Sequence, residues 1–127
     1  MYRILIIIAM HVAADFVLQG SVLSKLKASK TVSLLVHVGI YISFFIVLSP
    51  YLLGLTFMQG LVFSLINGAA HLIIDLITSK LKKLYWGKSE AKFFAVISFD
   101  QLSHITILIY TYLYMYPEVY AISNLMG

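Results

Sequence analysis

The sequence predicts an all-α fold, an integral membrane four-helix bundle formed by the single domain that 127 residues suggest. Three observations carry that expectation. Apolar residues make up 61% of the chain and charged residues 11%, against about 25% charged in ordinary soluble domains, and the mean hydropathy is +0.97. The apolar residues fall into four runs, at about 3–19, 31–49, 57–78 and 93–115, each near the roughly 20 residues a helix needs to cross a bilayer core. The lysines avoid these runs and gather in two of the three connections between them.

Helix rather than strand follows from the solvent. In lipid every backbone polar group must be paired within the protein, which leaves helices or closed barrels. The strict alternation of a barrel strand is absent from these runs. The first run is the weakest, because His11, Asp15 and Gln19 interrupt it. Its "HVAAD" also offers the small-residue pattern of a signal-peptide cleavage site. The return of the same His/Asp spacing later in the chain argues instead for a retained helix. The second and third runs are joined by the uncharged "SPYLLGLT", and tyrosines at 110, 112, 114, 116 and 120 crowd the end of the fourth run like an interfacial aromatic belt.

Eight lysines orient the bundle. Lys25, Lys27 and Lys30 follow the first run, and Lys80, Lys82, Lys83, Lys88 and Lys92 follow the third. In an up-and-down topology both sets face one side, which the positive-inside rule makes cytoplasmic. Both termini and the Pro50 connection then lie on the non-cytoplasmic side, with Arg3 as the exception. Orientation accounts for most of these lysines, and anionic lipids would be drawn to them. No run has a basic face, so nucleic acid is not an expected partner. The expected surroundings are the lipid bilayer, and homo-oligomers are compatible with so small a chain.

Three aspartates lie inside apolar runs, each with a histidine four residues away: His11/Asp15, His71/Asp75 and Asp100/His104. Residues at i and i+4 share a helix face. The order reverses with helix direction, His before Asp in the first and third runs and Asp before His in the fourth. In all three the carboxylate is therefore nearer the cytoplasm and the imidazole about one turn deeper, as a single shared site requires. His37 in the second run completes the set, and Gln19, Asn67 and Gln101 add neutral hydrogen-bonding groups. A faint repeat links the halves: "HVAAD", Lys25 and His37 resemble "HLIID", Lys80 and His104. Both halves enter from the same side, so the implied pseudo-twofold runs along the membrane normal. The match breaks at Asp100, whose counterpart is Ser33.

Ionisable groups within a membrane are costly and carry a functional reading by default. Interhelical hydrogen bonds alone, at about 0.6 kcal/mol each, are a small gain for seven such groups. With no cysteine in the chain, thiolate metal sites and Cys nucleophiles are excluded. Imidazole and carboxylate suit a divalent transition metal such as Zn, Mn, Fe or Ni. The candidate ligands are His11, Asp15, His37, His71, Asp75, Asp100 and His104. They suffice for two ions, or for one ion with partners that orient its histidines. Asp15 and Asp100 are the candidates for acid–base work and Lys80 for holding an anionic substrate, with Gln19, Lys25, Asn67 and Gln101 around them.

"HVAADFVLQ" followed by lysine, "LLVHVGIY", "HLIIDLITSK" and "FDQLSH" together resemble the signatures of a small bacterial integral membrane protein family catalogued only as a domain of unknown function. The resemblance spans nearly the whole chain. It implies a multi-pass protein of the bacterial inner membrane in which His11, Asp15, Gln19, His37, His71, Asp75, Lys80, Asp100, Gln101 and His104 form one site. It names no reaction and no substrate.

The function expected on these grounds is a membrane-embedded, metal-dependent hydrolase open to the cytoplasm. The alternatives are a divalent-cation or proton transporter or relay, and a structural or assembly subunit. A transport path needs polarity on both sides, yet the outer halves of the second and fourth runs hold only Ser, Thr and Tyr among polar residues. The lysine asymmetry predicts that a reporter fused after residue 127 reads non-cytoplasmic and one inserted near Lys88 reads cytoplasmic. A cytoplasmic C-terminus would reverse the orientation.

Overall fold

The computed structural model describes residues 2–17 and 30–126, and all the regular structure among them is helical. Helix α1, Tyr2–Val12, passes directly into a π-helical turn, Ala13–Val17. Four more helices follow: α2 (Lys30–Leu53), α3 (Phe57–Tyr85), α4 (Glu90–Met115) and α5 (Pro117–Met126). Three of them are long and apolar enough to cross a membrane, over Thr31–Leu53, Phe57–Tyr85 and Glu90–Met115. The described part of the first run is shorter, 11 α-helical residues and 5 in the π turn. Gln19, Lys25 and Lys27 lie outside the described residues.

The helix ends differ from the expected ones for local reasons. The second run does not stop before Pro50. Pro50 lies inside α2, which continues to Leu53, and proline in a last turn forfeits only one backbone bond. The real connection is Gly54–Thr56, where Gly54 has φ +70°, a conformation that glycine adopts without strain. Thr56 then caps α3: its hydroxyl accepts from Gln59 N at 3.2 Å, while Gln59 Oε1 accepts from Thr56 N at 2.8 Å.

Lys80, Lys82 and Lys83 are not in a loop either. They extend α3 to Tyr85, because lysine is a good helix former and its charge suits a helix C-terminus. Ser89 caps α4 by accepting from Lys92 N at 3.4 Å. The fifth helix was not foreseen, although Pro117 at its first position is a regular helix start.

Histidines divide the bundle into two halves. On the side of the termini lies the apolar core, including Ile7 and Met10 before His11, Tyr41 and Phe45 after His37, Phe63 before His71, and Leu108 and Tyr112 after His104. This half is closed by cross-ties. Arg3 Nη1 donates to Tyr112 Oη at 3.2 Å and to Val119 O at 3.0 Å. Tyr112 Oη donates to Leu53 O at 3.2 Å, and Tyr116 Oη to Gln59 O at 2.9 Å. Arg3, the exception to the charge asymmetry, is thus held among α1, α4 and α5. The outward faces carry large apolar side chains such as Leu35, Val47, Leu65, Ile73 and Leu102, a surface compatible with lipid.

Helices α2 and α3 come into close contact at Gly68. A β-carbon there would stand 2.2 Å from Ile42 Cγ1, whereas one at Gly39 would meet nothing within 4 Å. Gly68→Ala should therefore destabilise the detergent-solubilised protein by about 1–3 kcal/mol, the usual cost of overpacking, and Gly39→Ala, in open space inside a helix, should keep or raise its unfolding midpoint.

Candidate metal centre

Each of the helices α1 to α4 delivers one imidazole to the plane between the two halves. His11 ends α1, His37 sits in the second turn of α2, and His71 and His104 occupy the middle of α3 and α4. All four are at least nine-tenths buried. His11 and Asp15 face each other across the junction of α1 and the π turn at 4.0 Å, and π turns recur at functional sites. His71 and Asp75 use the ordinary i,i+4 spacing of α3, at 3.2 Å.

Four donor atoms on two helices and the π turn form a compact set. His37 Nε2 and His71 Nε2 are 2.7 Å apart. Asp75 Oδ2 lies 3.0 Å from the first and 3.2 Å from the second. Asp15 Oδ1 lies 3.4 Å and 3.6 Å from the same two nitrogens. A tetrahedral ion with ligands at about 2.0–2.1 Å holds them about 3.3 Å from one another. Five of the six distances among these four atoms are thus 2.7–3.6 Å, scattered about that separation.

His104 adjoins this set. Its ring stacks on His71 at 4.1 Å and 21°, and its Nε2 is 3.5 Å from Asp75 Oδ1. His11 approaches from the other flank, 5.4 Å from His104 between ring centroids. Three overlapping groups of potential ligands follow: His11/Asp15/His104, Asp15/His37/His71 and His71/Asp75/His104, each with one atom per residue mutually within 4.8 Å.

Asp100 is absent from all three groups, which cover the described residues. It is held instead by the Thr78 hydroxyl, by Gln101 Nε2 at 3.3 Å and by Lys82 Nζ at 3.6 Å. Gln101 links the two layers. Its Nε2 also donates to Asp15 Oδ2 at 2.9 Å. Carboxylates only accept, so that contact fixes the amide orientation and turns Oε1 toward His11 Nε2, 3.1 Å away. Asn67 is buried on α3 but does not join the cluster: its Nδ2 donates to Phe63 O at 2.9 Å. Lys80 is exposed. Among the described residues, Lys82, two residues on, is the lysine that reaches the site.

A cavity of about 360 Å³ lies on the lysine side of the histidines. Asp15, His37 and Asp75 line it together with Lys82, Asp100 and Gln101. Thr78 and Lys82 are the site residues that sequence reasoning missed. Both continue the helical face of Asp75, at i+3 and i+7, and that spacing was the available signal.

The fold and the cluster define a class: an all-helical protein with membrane-compatible apolar helices and an internal His/Asp group able to hold a metal ion. Within that class the chain belongs to the family described as "Protein of unknown function (DUF3307)", which matches residues 3–126. No curated protein and no solved structure matches it.

Asp100 depends on the Thr78 hydroxyl for one of its oxygens, so Thr78→Val should cost about 1–3 kcal/mol by leaving a buried acceptor short of a donor. Thr111 only bonds back to Ile107 O in its own helix, and Thr111→Val should be close to neutral. Thermal unfolding of the two variants in detergent compares them directly.

Proposed function

We infer that this protein is a four-helix integral protein of the bacterial inner membrane whose His/Asp cluster binds a divalent transition metal and serves a metal-dependent hydrolase. The observation that carries the reading is the close set formed by Asp15, His37, His71 and Asp75, in which both carboxylates approach the same two imidazole nitrogens. Without a cation, two imidazole nitrogens 2.7 Å apart and two carboxylates would have to be reconciled by protons alone. A dication offsets both carboxylate charges and accepts both nitrogen lone pairs, which is a strong stabilisation where water is scarce.

The site also supports chemistry rather than metal storage. Asp15, His37 and Asp75 line the cavity as well as belonging to this set, so an ion there would be reachable from the lysine side, which we assign to the cytoplasm. Among the named metals, those that take more than four ligands would keep positions for water and substrate. A bound ion lowers the pKa of its water and polarises a phosphoryl or acyl oxygen. Lys82 supplies a positive charge for an anionic substrate.

The second reading is a proton relay, favoured by the His37–His71 contact itself, since two imidazoles at 2.7 Å would share a proton. Against through-transport, Tyr41, Phe45, Phe63 and Tyr112 fill the terminal half of the bundle and are almost completely buried.

Protein purified in detergent and analysed by elemental mass spectrometry should carry Zn, Mn, Fe or Ni. His71→Ala and Asp75→Ala should each lose it, by more than the about 10–100-fold that outer partners cost. Lys88→Ala, on the turn after α3, should retain it. Wild-type protein that arrives metal-free and has no affinity for these ions would leave the relay reading in its place.

A further inference from the structure

We propose that the cluster holds a second divalent ion beside the first, at His11 and His104, with Asp15 and Asp75 bridging the two. This rests on the metal reading above and extends it from a mononuclear to a dinuclear centre.

The two carboxylates divide their oxygens. Asp75 turns Oδ2 to His37 and His71, and Oδ1 to His104 Nε2 at 3.5 Å. Asp15 turns Oδ1 to the same pair, and Oδ2 to His11 Nε2 at 4.0 Å. Each aspartate thus presents one oxygen to the first position and the other to a different histidine, the arrangement of a bridging carboxylate.

His104 points to the same place independently. It is 3% exposed, and its Nε2 has no hydrogen-bond partner. At 3.5 Å from Asp75 Oδ1 it stands beyond the 2.7–3.2 Å of an ordinary N–H···O bond. A nitrogen buried, unpartnered and aimed at a carboxylate is matched by a cation between the two. His11, Asp15 and His104 each offer a ligand atom within 4.8 Å of the others, and Gln101 Oε1, 3.1 Å from His11 Nε2, is a neutral oxygen at the same spot.

The spacing agrees. His71 and His104 stack nearly parallel with centroids 4.1 Å apart. Ions carried by the two rings and sharing Asp75 would be separated by a similar distance, and paired hydrolytic metals lie about 3.5–4 Å apart.

The internal repeat supplies the last argument. It relates His11, Asp15 and His37 to His71, Asp75 and His104. That operation carries the first ligand set, Asp15, His37, His71 and Asp75, onto Asp75, His104, His11 and Asp15. The pair His37/His71 at 4.8 Å between centroids corresponds to His104/His11 at 5.4 Å. Two dications against two carboxylates leave positive charge, which a hydroxide or an anionic substrate oxygen between the ions would offset. Asp100 does not disturb that balance, because Lys82 lies beside it.

The test uses the full chain in detergent, stripped with a chelator and dialysed against Mn(II), and in parallel against Zn(II). Two ions per chain are expected, with an exchange-coupled electron paramagnetic resonance spectrum for Mn. His104→Ala should bind one ion per chain and give an isolated-ion spectrum. His104→Gln, a milder change, should do the same if the alanine variant does not fold. One ion per wild-type chain with an uncoupled spectrum, or two ions surviving the His104 substitutions, would overturn the second position while leaving the first intact. No ion at all would overturn both readings.

Discussion

Two carboxylates in the middle of an apolar bundle set the terms for everything around them. Asp15 is within 4 Å of nitrogens from His11, His37, His71 and Gln101, and Asp75 of nitrogens from His37, His71 and His104. Between them they touch all four of the helices that carry the histidines. Burying one carboxylate without such partners costs several kcal/mol, so the helices cannot separate or rotate far without exposing a charge to an apolar surrounding. Packing is then arranged around the polar layer rather than the reverse. Gly68 lets α2 and α3 approach closely a little above His71, and Tyr41 stacks on His71 at 4.2 Å from the core side.

The two halves of the bundle consequently have different work. The terminal half is filled by aromatic and aliphatic side chains and tied shut by Arg3, Tyr112 and Tyr116. The lysine half keeps a cavity against the same carboxylates. A polar layer sealed on one side and reachable from the other suits a reagent that must enter and leave by one mouth. That asymmetry, more than any single residue, separates the hydrolase reading from a path across the membrane.

Much of this was legible in the sequence because helical periodicity is rigid. The i,i+4 spacing brought His11 near Asp15 and His71 near Asp75, and the reversed order in the fourth run implied a common depth for the histidines. What spacing cannot supply is the rotation of one helix against another. Asp100 has the same i+4 relation to His104, yet its side chain is held by Thr78 and Lys82 on α3. Helix ends were harder still. Lys80, Lys82 and Lys83 mark where apolar character stops, but the helix runs on to Tyr85 because nothing in the backbone requires it to end there. For the same reason Lys82, read as an orientation signal, became a wall of the cavity, and Lys80, read as a substrate lysine, became an exposed residue. The π turn at Ala13–Val17 left no mark that periodicity could detect.

The departures from internal symmetry are as informative as the symmetry. On the dinuclear reading, the repeat supplies two equivalent ligand sets from two helical hairpins, three residues from each. A perfectly symmetric centre would offer a substrate two equal approaches. Asp100 breaks that equality, because its counterpart in the first half is Ser33, which carries no charge. With Asp100 come Thr78, Lys82 and the second contact of Gln101, all drawn from α3 and α4. One wall of the cavity therefore bears a fixed ion pair, while the wall contributed by α2 is lined by Leu34 beside His37. An anionic group would be oriented by that difference, with its charge toward Lys82 and the metals and its apolar remainder toward α2. Symmetry would then build the centre, and the single break in it would give the substrate a direction.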